Sequence, residues 1–443
     1  MSASDPRPAS DVSAGVGLAG LAGLAAWIVV CREWAQVADL FAIPGPRAPL
    51  SGPYAALAAV LFSALPMVLW SLQVDKVHRR ASTGIAWTSP RPLRESIDVS
   101  ITKLAGLWAT WGLIAALYGL ARWYWQGQYL FAMEVLAAAA PLLFAASIPY
   151  VVWLDRYLVK PRDGAWHFGA MLIGREAWDK AEVRHHLRGW AVKGFFTAFM
   201  ISILPPGFAA VVEADFGAVV GDPMRLTLLL CEAMFVIDVQ IAMVGYLLTM
   251  KPLDAHIRTA NPHLDGWLAA LICYPPFILM GSGGPLDYHP GTADWAFWLG
   301  AHPTLLWAWG GALVALTAIY AWATVAFGLR FSNLTYRGVL TNGPYAFTRH
   351  PAYLSKNAFW WLSTLPFLTT GNTTDAIRNT AILALVSAVY WWRAKTEERH
   401  LAAEDAKYRE YWAWMGRNGL VTRRLGRIFS MAETDRRNPQ PAE

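Results

Sequence analysis

Residues Tyr129–Leu154 read YLFAMEVLAAAAPLLFAASIPYVVWL, an apolar run whose only charged side chain is Glu134. About 20 predominantly apolar residues in helical conformation cross the hydrocarbon core of a bilayer. Because lipid offers no hydrogen-bond partners, a spanning segment must satisfy its backbone polar groups internally, as a helix does. The run therefore predicts a membrane-spanning α-helix.

The composition of the whole chain indicates the same class. Of its 443 residues, 56% are hydrophobic and 15% are charged, and the mean hydropathy is +0.32. Average soluble domains carry about 25% charged residues, and a soluble chain this apolar would expose large patches and aggregate. Cys31, Cys231 and Cys273 are far apart, so no disulfide framework is expected. The 24 tryptophans suit the membrane–water interfaces.

Other apolar runs extend this prediction along the chain. Strong candidates for spanning helices are Ala14–Cys31, Tyr54–Val74, Leu104–Ala121, Gly194–Val212, Leu226–Met250 and Pro303–Gly328. Weaker candidates are Trp267–Met280, Ala358–Thr369 and Ile377–Trp392. The sequence thus predicts an all-α, polytopic transmembrane helical bundle of about ten helices.

Basic residues concentrate in alternate loops. The loops after the second, fourth, sixth and eighth helices and the tail after the tenth are basic, whereas Glu213–Met224 and Gly281–His302 are acidic or poor in base. Lys and Arg accumulate on the cytoplasmic side of membrane proteins. We therefore expect a multi-pass integral membrane protein with both termini and the active site in the cytoplasm. The net charge of +6 is then explained by basic loops that face the anionic cytoplasmic leaflet, and no nucleic-acid partner is expected.

Polar and charged residues crowd the segment Leu340–Tyr353, which reads LTNGPYAFTRHPAY. Asn342-Gly343-Pro344 predicts a turn. Pro351 disfavours the α conformation for His350, which should stand at a helix entrance. The rings of Tyr345 and Tyr353 could stack on a planar base or face a cation.

A second polar segment, Arg393–Leu401, continues the last apolar helix. Arg393 and Glu397 are four residues apart, so they share one helix face. Beyond them, Ala402–Arg417 carries apolar residues at helical spacing. This pattern predicts a cytoplasmic C-terminal amphipathic helix lying on the membrane.

Together these segments resemble the isoprenylcysteine carboxyl methyltransferase and phospholipid methyltransferase family. The family shows Gly-x-Tyr, then Arg-His-Pro-x-Tyr, a helical hairpin, and Arg-x-x-x-Glu-Glu. This chain has those motifs in the same order, as Gly343-Pro344-Tyr345, Arg349-His350-Pro351-Ala352-Tyr353 and Arg393 with Glu397-Glu398. The family usually has Gly where this chain has Ser355, a residue that is also small. The resemblance covers about residues 328–421.

The resemblance implies S-adenosyl-L-methionine (AdoMet) as the methyl donor. The cofactor-binding residues it implies are Arg337, Gly338, Val339, Leu340, Tyr345, His350, Pro351, Ala352, Tyr353, Glu397 and Glu398. The catalytic candidates are Arg393 and Arg349, and Arg393 would face the methyl acceptor. That acceptor would be a lipid, a prenylcysteine-like carboxylate or an apolar thiol that enters from the bilayer. No metal site is predicted.

Two other functions remain open. A membrane sterol-type reductase that uses NADPH shares a similar C-terminal hairpin. A transporter or lipid-binding membrane protein with a degenerate methyltransferase-like end would explain the long N-terminal part. We expect a disordered cytoplasmic segment at 1–13, a transmembrane bundle of unknown role at 14–302, the methyltransferase-like membrane domain at 303–432 and a disordered tail at 433–443. The oligomeric state is unknown.

Overall fold

The computed structural model describes residues 6–174 and 177–424, which are almost entirely helical. The α-helices of these residues are α1 (Ala14–Arg32), α2 (Trp34–Leu40), α3 (Pro53–Leu69), α4 (Leu93–Leu120), α5 (Tyr129–Asp155), α6 (Gly164–Ile173), α7 (Lys180–Glu213), α8 (Phe216–Val219), α9 (Pro223–Leu247), α10 (Leu264–Leu271), α11 (Trp295–Leu299), α12 (Pro303–Phe327), α13 (Pro351–Thr364), α14 (Thr373–Glu404) and α15 (Ala406–Asn418). Two short strands, β1 (Thr259–Ala260) and β2 (Thr335–Tyr336), pair in antiparallel orientation.

Seven helices of the described residues are long and apolar enough to cross a membrane. They are α1, α3 with its extension to Val74, α4, α5, α7, α9 and α12 with its extension to Arg330. These are the seven strong candidates of the sequence, so the prediction of a multi-pass helical membrane protein is confirmed. By length and hydropathy, seven helices of the described residues, rather than about ten, suit the bilayer. The three weaker candidates of the sequence are the ones that do not meet this criterion.

The segment Trp267–Met280 does not form the predicted spanning helix. Only Leu264–Leu271 is helical, and turns and irregular chain follow until α11 begins at Trp295. Pro275 and Pro276 lie in this irregular part, and because proline has no backbone N–H, it cannot continue a helix. The chain nevertheless runs alongside α14: Tyr274 contacts Arg393 in the C-terminal half of that helix, and the carbonyl of Pro290 accepts from Asn379 near its N-terminal end.

The other two weak candidates are helical, with different bounds. The helix expected at Ala358–Thr369 begins at Pro351 and ends at Thr364. Proline is favourable in the first turn of a helix, where its missing N–H has no partner to lose. The helix expected at Ile377–Trp392 continues to Glu404. The charged residues that follow Trp392 are therefore helical and lie beyond the apolar part of the helix.

The predicted basic loops meet at one end of the bundle. Arg80 lies 3.7 Å from Asp254, and Lys251 lies 4.0 Å from Asp163, so the loops after α3, α5 and α9 are joined there. Lys103, one residue before the predicted helix Leu104–Ala121, is buried within α4, which begins earlier, and is bonded to Asp155 at 2.5 Å. The common location of these loops agrees with the predicted alternation of charge.

Both chain ends differ from expectation where the structure describes them. Residues 6–13, expected to be disordered, lie along residues 339–342. In α15 the residues Tyr408, Tyr411 and Met415 are buried against Tyr336 and Val339. These three apolar residues of the helix therefore pack on the protein, whereas Trp412 of the same helix is exposed. Residues 1–5 and 425–443, which include the predicted tail 433–443, lie outside the described residues.

The largest apolar core joins the N-terminal and C-terminal parts of the chain. It contains residues of α1, α3, α7 and α9 together with Val325 of α12 and Leu329 and Leu334 just after it. The apolar core therefore continues across residue 302, where we expected a domain boundary. The N-terminal helices support α12, whose C-terminal end opens onto the candidate site.

Candidate active site

A cavity lies at the end of the bundle where the basic loops meet. It is lined by the last turns of α12, the segment 330–345, the N-terminal half of α13, the C-terminal half of α14, and α15, with Tyr274 on one side. Of the thirteen predicted site residues, eleven line it: Arg337, Gly338, Val339, Leu340, Tyr345, Arg349, His350, Ala352, Tyr353, Arg393 and Glu397. The other two, Pro351 and Glu398, support the wall from behind.

Arg393 and Glu397 lie on one face of α14, as their spacing predicts. Arg393 Nε is 3.5 Å from Glu397 Oε1. The hydroxyl of Tyr353 on α13 donates to the same carboxylate. The guanidinium of Arg393 lies over the Tyr353 ring, 5.1 Å from its centroid. These contacts join the two arms of the predicted helical hairpin at the cavity.

His350 stands at the entrance of α13, as Pro351 requires. Its φ and ψ of −130° and 58° are not helical, and α13 begins at the next residue. Its imidazole is parallel to the Tyr353 ring at 5.6 Å. His350 Nε2 lies 3.0 Å from Glu398 Oε1, so a carboxylate outside the cavity orients a ring that lines it.

Glu398 is a buried carboxylate at the centre of a charge cluster. Arg349 lies 3.2 Å from one of its oxygens and Lys395 lies 2.8 Å from the other. Burial raises the pKa of Glu398, but the hydrogen bonds and charges of His350, Lys395 and Arg349 outweigh burial and lower it to about 2. Glu398 is therefore ionised at neutral pH and positions His350 and Arg349.

Arg337 is held by the backbone. Its guanidinium donates to the carbonyls of Gly245 at 2.9 Å and Phe331 at 2.6 Å, with further carbonyls of Ala255, Leu248 and Leu329 around it. Burial and the nearby charge of Arg330 lower the pKa of Arg337 to about 9, so it stays charged at neutral pH. Arg337 therefore fixes the segment 330–345 to the end of α9. Its side chain also forms part of the cavity wall.

The N-terminal segment is bonded to this loop. The N–H of Asp11 donates to the carbonyl of Val339 at 2.9 Å, and its carboxylate accepts from the N–H of Val339 at 2.8 Å. Lys407 on α15 donates to the other carboxylate oxygen at 2.5 Å. Gly338 has a φ of +116°, and a Cβ there would lie 2.2 Å from Arg330 and 2.7 Å from Asp11. Only glycine fits this contact.

Sequence reasoning missed several residues of the cavity. Tyr274 and Asn333 bond to Arg393: its Nη2 donates to Asn333 Oδ1 at 2.6 Å, and its Nη1 to the Tyr274 hydroxyl at 3.3 Å. Lys356 and Tyr320 also line the wall. Lys356 lies one residue beyond Ser355, which is buried in place of the family's glycine and donates to the carbonyl of Ala352. The sequence signal that could have pointed to Lys356 is the presence of a lysine within a short apolar helix.

The comparisons with known proteins agree with the motifs. The model of the Isoprenylcysteine carboxyl methyltransferase (ICMT) family matches residues 304–403, from the start of α12 to the last turn of α14. Neither the curated proteins nor the solved structures gave a match to the chain. The family resemblance of the C-terminal part is therefore confirmed, and with the apolar helices it supports an integral-membrane methyltransferase at the level of the family.

Proposed function

We propose that the protein is an AdoMet-dependent methyltransferase of the membrane whose acceptor is a lipid, a prenylcysteine-like carboxylate or an apolar thiol. The observation that carries this proposal is the convergence on one cavity of residues from α13, α14 and the 337–345 segment. These residues lie far apart in sequence, and they include the motifs of the matched family.

The donor end of the cavity suits a nucleoside with a cationic sulfonium. Glu397 supplies a carboxylate, and the parallel rings of His350 and Tyr353 supply faces that attract a cation. Among the described residues, Thr335 Oγ1 and Arg349 Nε are buried without a hydrogen-bond partner, and both residues line the cavity. Buried polar atoms rarely lack a partner, so these atoms suit a polar ligand.

AdoMet supplies an activated methyl group when it is bound. The residues of this chain would therefore have to align the acceptor and exclude water rather than act as strong acids or bases. Glu397, Tyr353 and His350 would hold the donor. Arg393 would fix the geometry through Asn333 and Tyr274. Apolar side chains of α12 and the loop after it, Phe327 and Phe331, would line the path of an apolar acceptor.

The arginines of the cavity favour a methyltransferase over the NADPH-dependent reductase. A 2′-phosphate site requires arginines that are free to pair with it. Within the described residues, Arg330 pairs with Asp254 at 2.5 Å, Arg337 with backbone carbonyls, and Arg349 with Glu398. Their charges are already engaged.

The test is methyl transfer by the purified protein in lipid nanodiscs. AdoMet with a tritiated methyl group is supplied with a total lipid extract, a farnesylated cysteine derivative or a long-chain thiol, and the organic phase is counted. We expect label in at least one of the three, lost in Glu397→Gln and kept in the control Glu404→Gln on the same helix. Oxidation of NADPH with a sterol substrate, without label in any acceptor, would overturn the proposal.

A further inference from the structure

Lys356 is a cation in an aromatic setting on the wall of the cavity. Its Nζ lies 5.4 Å from the centroid of the Tyr320 ring, 5.3 Å from that of Trp360 and 5.8 Å from that of Tyr390. The rings come from three different helices, α12, α13 and α14. Such contacts attract an ammonium group but leave its N–H donors without acceptors.

Lys356 has no ion pair within the described part of the chain. The two glutamates of α14 near the cavity contact other residues: Glu397 contacts Arg393 and Tyr353, and Glu398 contacts three cations. Asp238 on α9 is near enough for its charge to act on Lys356, but the two do not form an ion pair, and the Asp238 carboxylate accepts from the hydroxyl of Thr324. No carboxylate lies within 4.0 Å of Lys356 Nζ in residues 6–174 and 177–424.

The position of Lys356 makes this lack of a partner costly. It lies five residues after Pro351, and at 1.5 Å per residue its Cα is about 7.5 Å along α13 from the helix entrance. A charge at such a depth in an apolar helix is unfavourable unless something compensates it, and ionisable residues in that setting commonly serve a function. The three rings and the charge of Asp238 provide part of that compensation, and a bound anion in contact with the ammonium group would provide the rest.

Arg393 is less available than Lys356. Its side chain is 3% exposed, and its guanidinium already contacts Asn333, Tyr274 and Glu397. It lies between the rings of Tyr274 and Tyr353, at 5.3 Å and 5.1 Å. Lys356 is therefore a cation of this wall whose ammonium group keeps N–H donors for a ligand.

We propose that Lys356 binds the anionic headgroup of an amphiphile, either a carboxylate or a phosphate, and selects such molecules for this cavity. The ammonium would donate to the anion while Tyr320, Trp360 and Tyr390 hold the lysine stem and border the adjoining chain. The inference rests on the proposed function only in taking this amphiphile to be the methyl acceptor. Binding itself can be tested without methyl transfer.

The experiment measures equilibrium binding of radiolabelled palmitate, palmitamide and lysophosphatidate to the full-length protein in one neutral detergent. Palmitamide has the same chain as palmitate and a neutral head. In Lys356→Met we expect palmitate to bind about tenfold more weakly, the size of one charge-assisted hydrogen bond, with palmitamide unchanged. Lys356→Arg should retain the affinity for the anion. Lys193→Met is the matched control, because Lys193 is also a lysine in an apolar helix beside a ring but does not line the cavity and bonds to Thr249.

The outcomes are separable. Tighter binding of lysophosphatidate than of palmitate, with the same sensitivity to Lys356→Met, assigns a phosphate headgroup, and the reverse assigns a carboxylate. Equal binding of palmitate by the wild-type protein and Lys356→Met, or an equal loss of palmitate and palmitamide, would overturn the proposal. Titration with S-adenosylhomocysteine in parallel separates this from the proposed function, since Lys356→Met should leave donor binding unchanged.

Discussion

Glu398 should act on the donor site without touching the donor. It lies behind the cavity wall, beyond the apolar part of α14 that ends near Trp392, and it contacts His350, Arg349 and Lys395. The substitution Glu398→Gln keeps its size and removes its charge. Because His350 then loses its anionic partner, we expect both the stability of the fold and the affinity for the donor to fall.

The size of the effect follows from the pKa of Glu398. Its contacts lower that pKa from the ordinary value of 4.5 to about 2. Since each unit of pKa is equivalent to about 1.4 kcal/mol, they favour the charged carboxylate by about 3 kcal/mol, which sets the order of magnitude of the stability lost in Glu398→Gln. Donor binding should be weakened only by the loss of the Glu398–His350 bond. That bond is worth about 1–1.5 kcal/mol, or about tenfold in affinity for the donor.

The pH dependence has a definite sign. A carboxylate whose pKa is lowered by folding stabilises the protein above its unfolded pKa and loses that contribution as the pH falls toward its folded pKa. The difference in stability between the wild-type protein and Glu398→Gln should therefore be constant at neutral pH and shrink between about pH 4.5 and pH 2.

The assay combines thermal unfolding in detergent with calorimetric titration of S-adenosylhomocysteine. The control is Glu410→Gln, since Glu410 is an exposed glutamate of α15. We expect a lower unfolding midpoint and weaker donor binding for Glu398→Gln only. If the two variants behave alike in both measurements, Glu398 does not position His350 and the reasoning is refuted.

Three further substitutions test other parts of the account. Asp11→Asn should weaken S-adenosylhomocysteine binding several-fold by calorimetry, because it loosens the N-terminal segment from Val339; unchanged affinity would mean that the segment has no role at the site. Lys103→Met should destabilise the protein by about 3–5 kcal/mol in denaturant titrations, because it leaves Asp155 buried without its cation, while donor binding at low temperature is retained; an unchanged midpoint would contradict this. Arg393→Ala should reduce methyl transfer to the acceptor more than donor binding, with Arg399→Ala as the control on the same helix; a larger loss of donor binding than of turnover would reverse the role given to Arg393.

The sequence predicted those features that depend on local patterns. The seven strongest apolar runs are the seven apolar helices, because length and hydropathy alone decide whether a helix suits the bilayer. Arg393 and Glu397 meet because a spacing of four places them on one face. Pro351 sets the conformation of His350 for an equally local reason.

The features that sequence reasoning missed depend on contacts between distant segments. Asp11 bonds to Val339 more than three hundred residues away, and a short polar N-terminus carries no local sign of such a partner. Tyr274 reaches Arg393 from an irregular segment that the hydropathy pattern assigned to a helix. Non-helical backbone within a bilayer is tolerated only where protein covers it, and whether a segment is covered depends on tertiary contacts.

The most direct test of the account is calorimetric titration of S-adenosylhomocysteine into the purified wild-type protein and Glu397→Gln. We predict saturable binding to the wild-type protein, because the product retains the nucleoside and amino acid groups of the donor. Glu397→Gln should weaken it at least about tenfold, since a charged acceptor on the cavity wall is lost. A folded wild-type protein that does not bind S-adenosylhomocysteine, or binding that is the same in Glu397→Gln, would contradict the assignment of this cavity as the donor site.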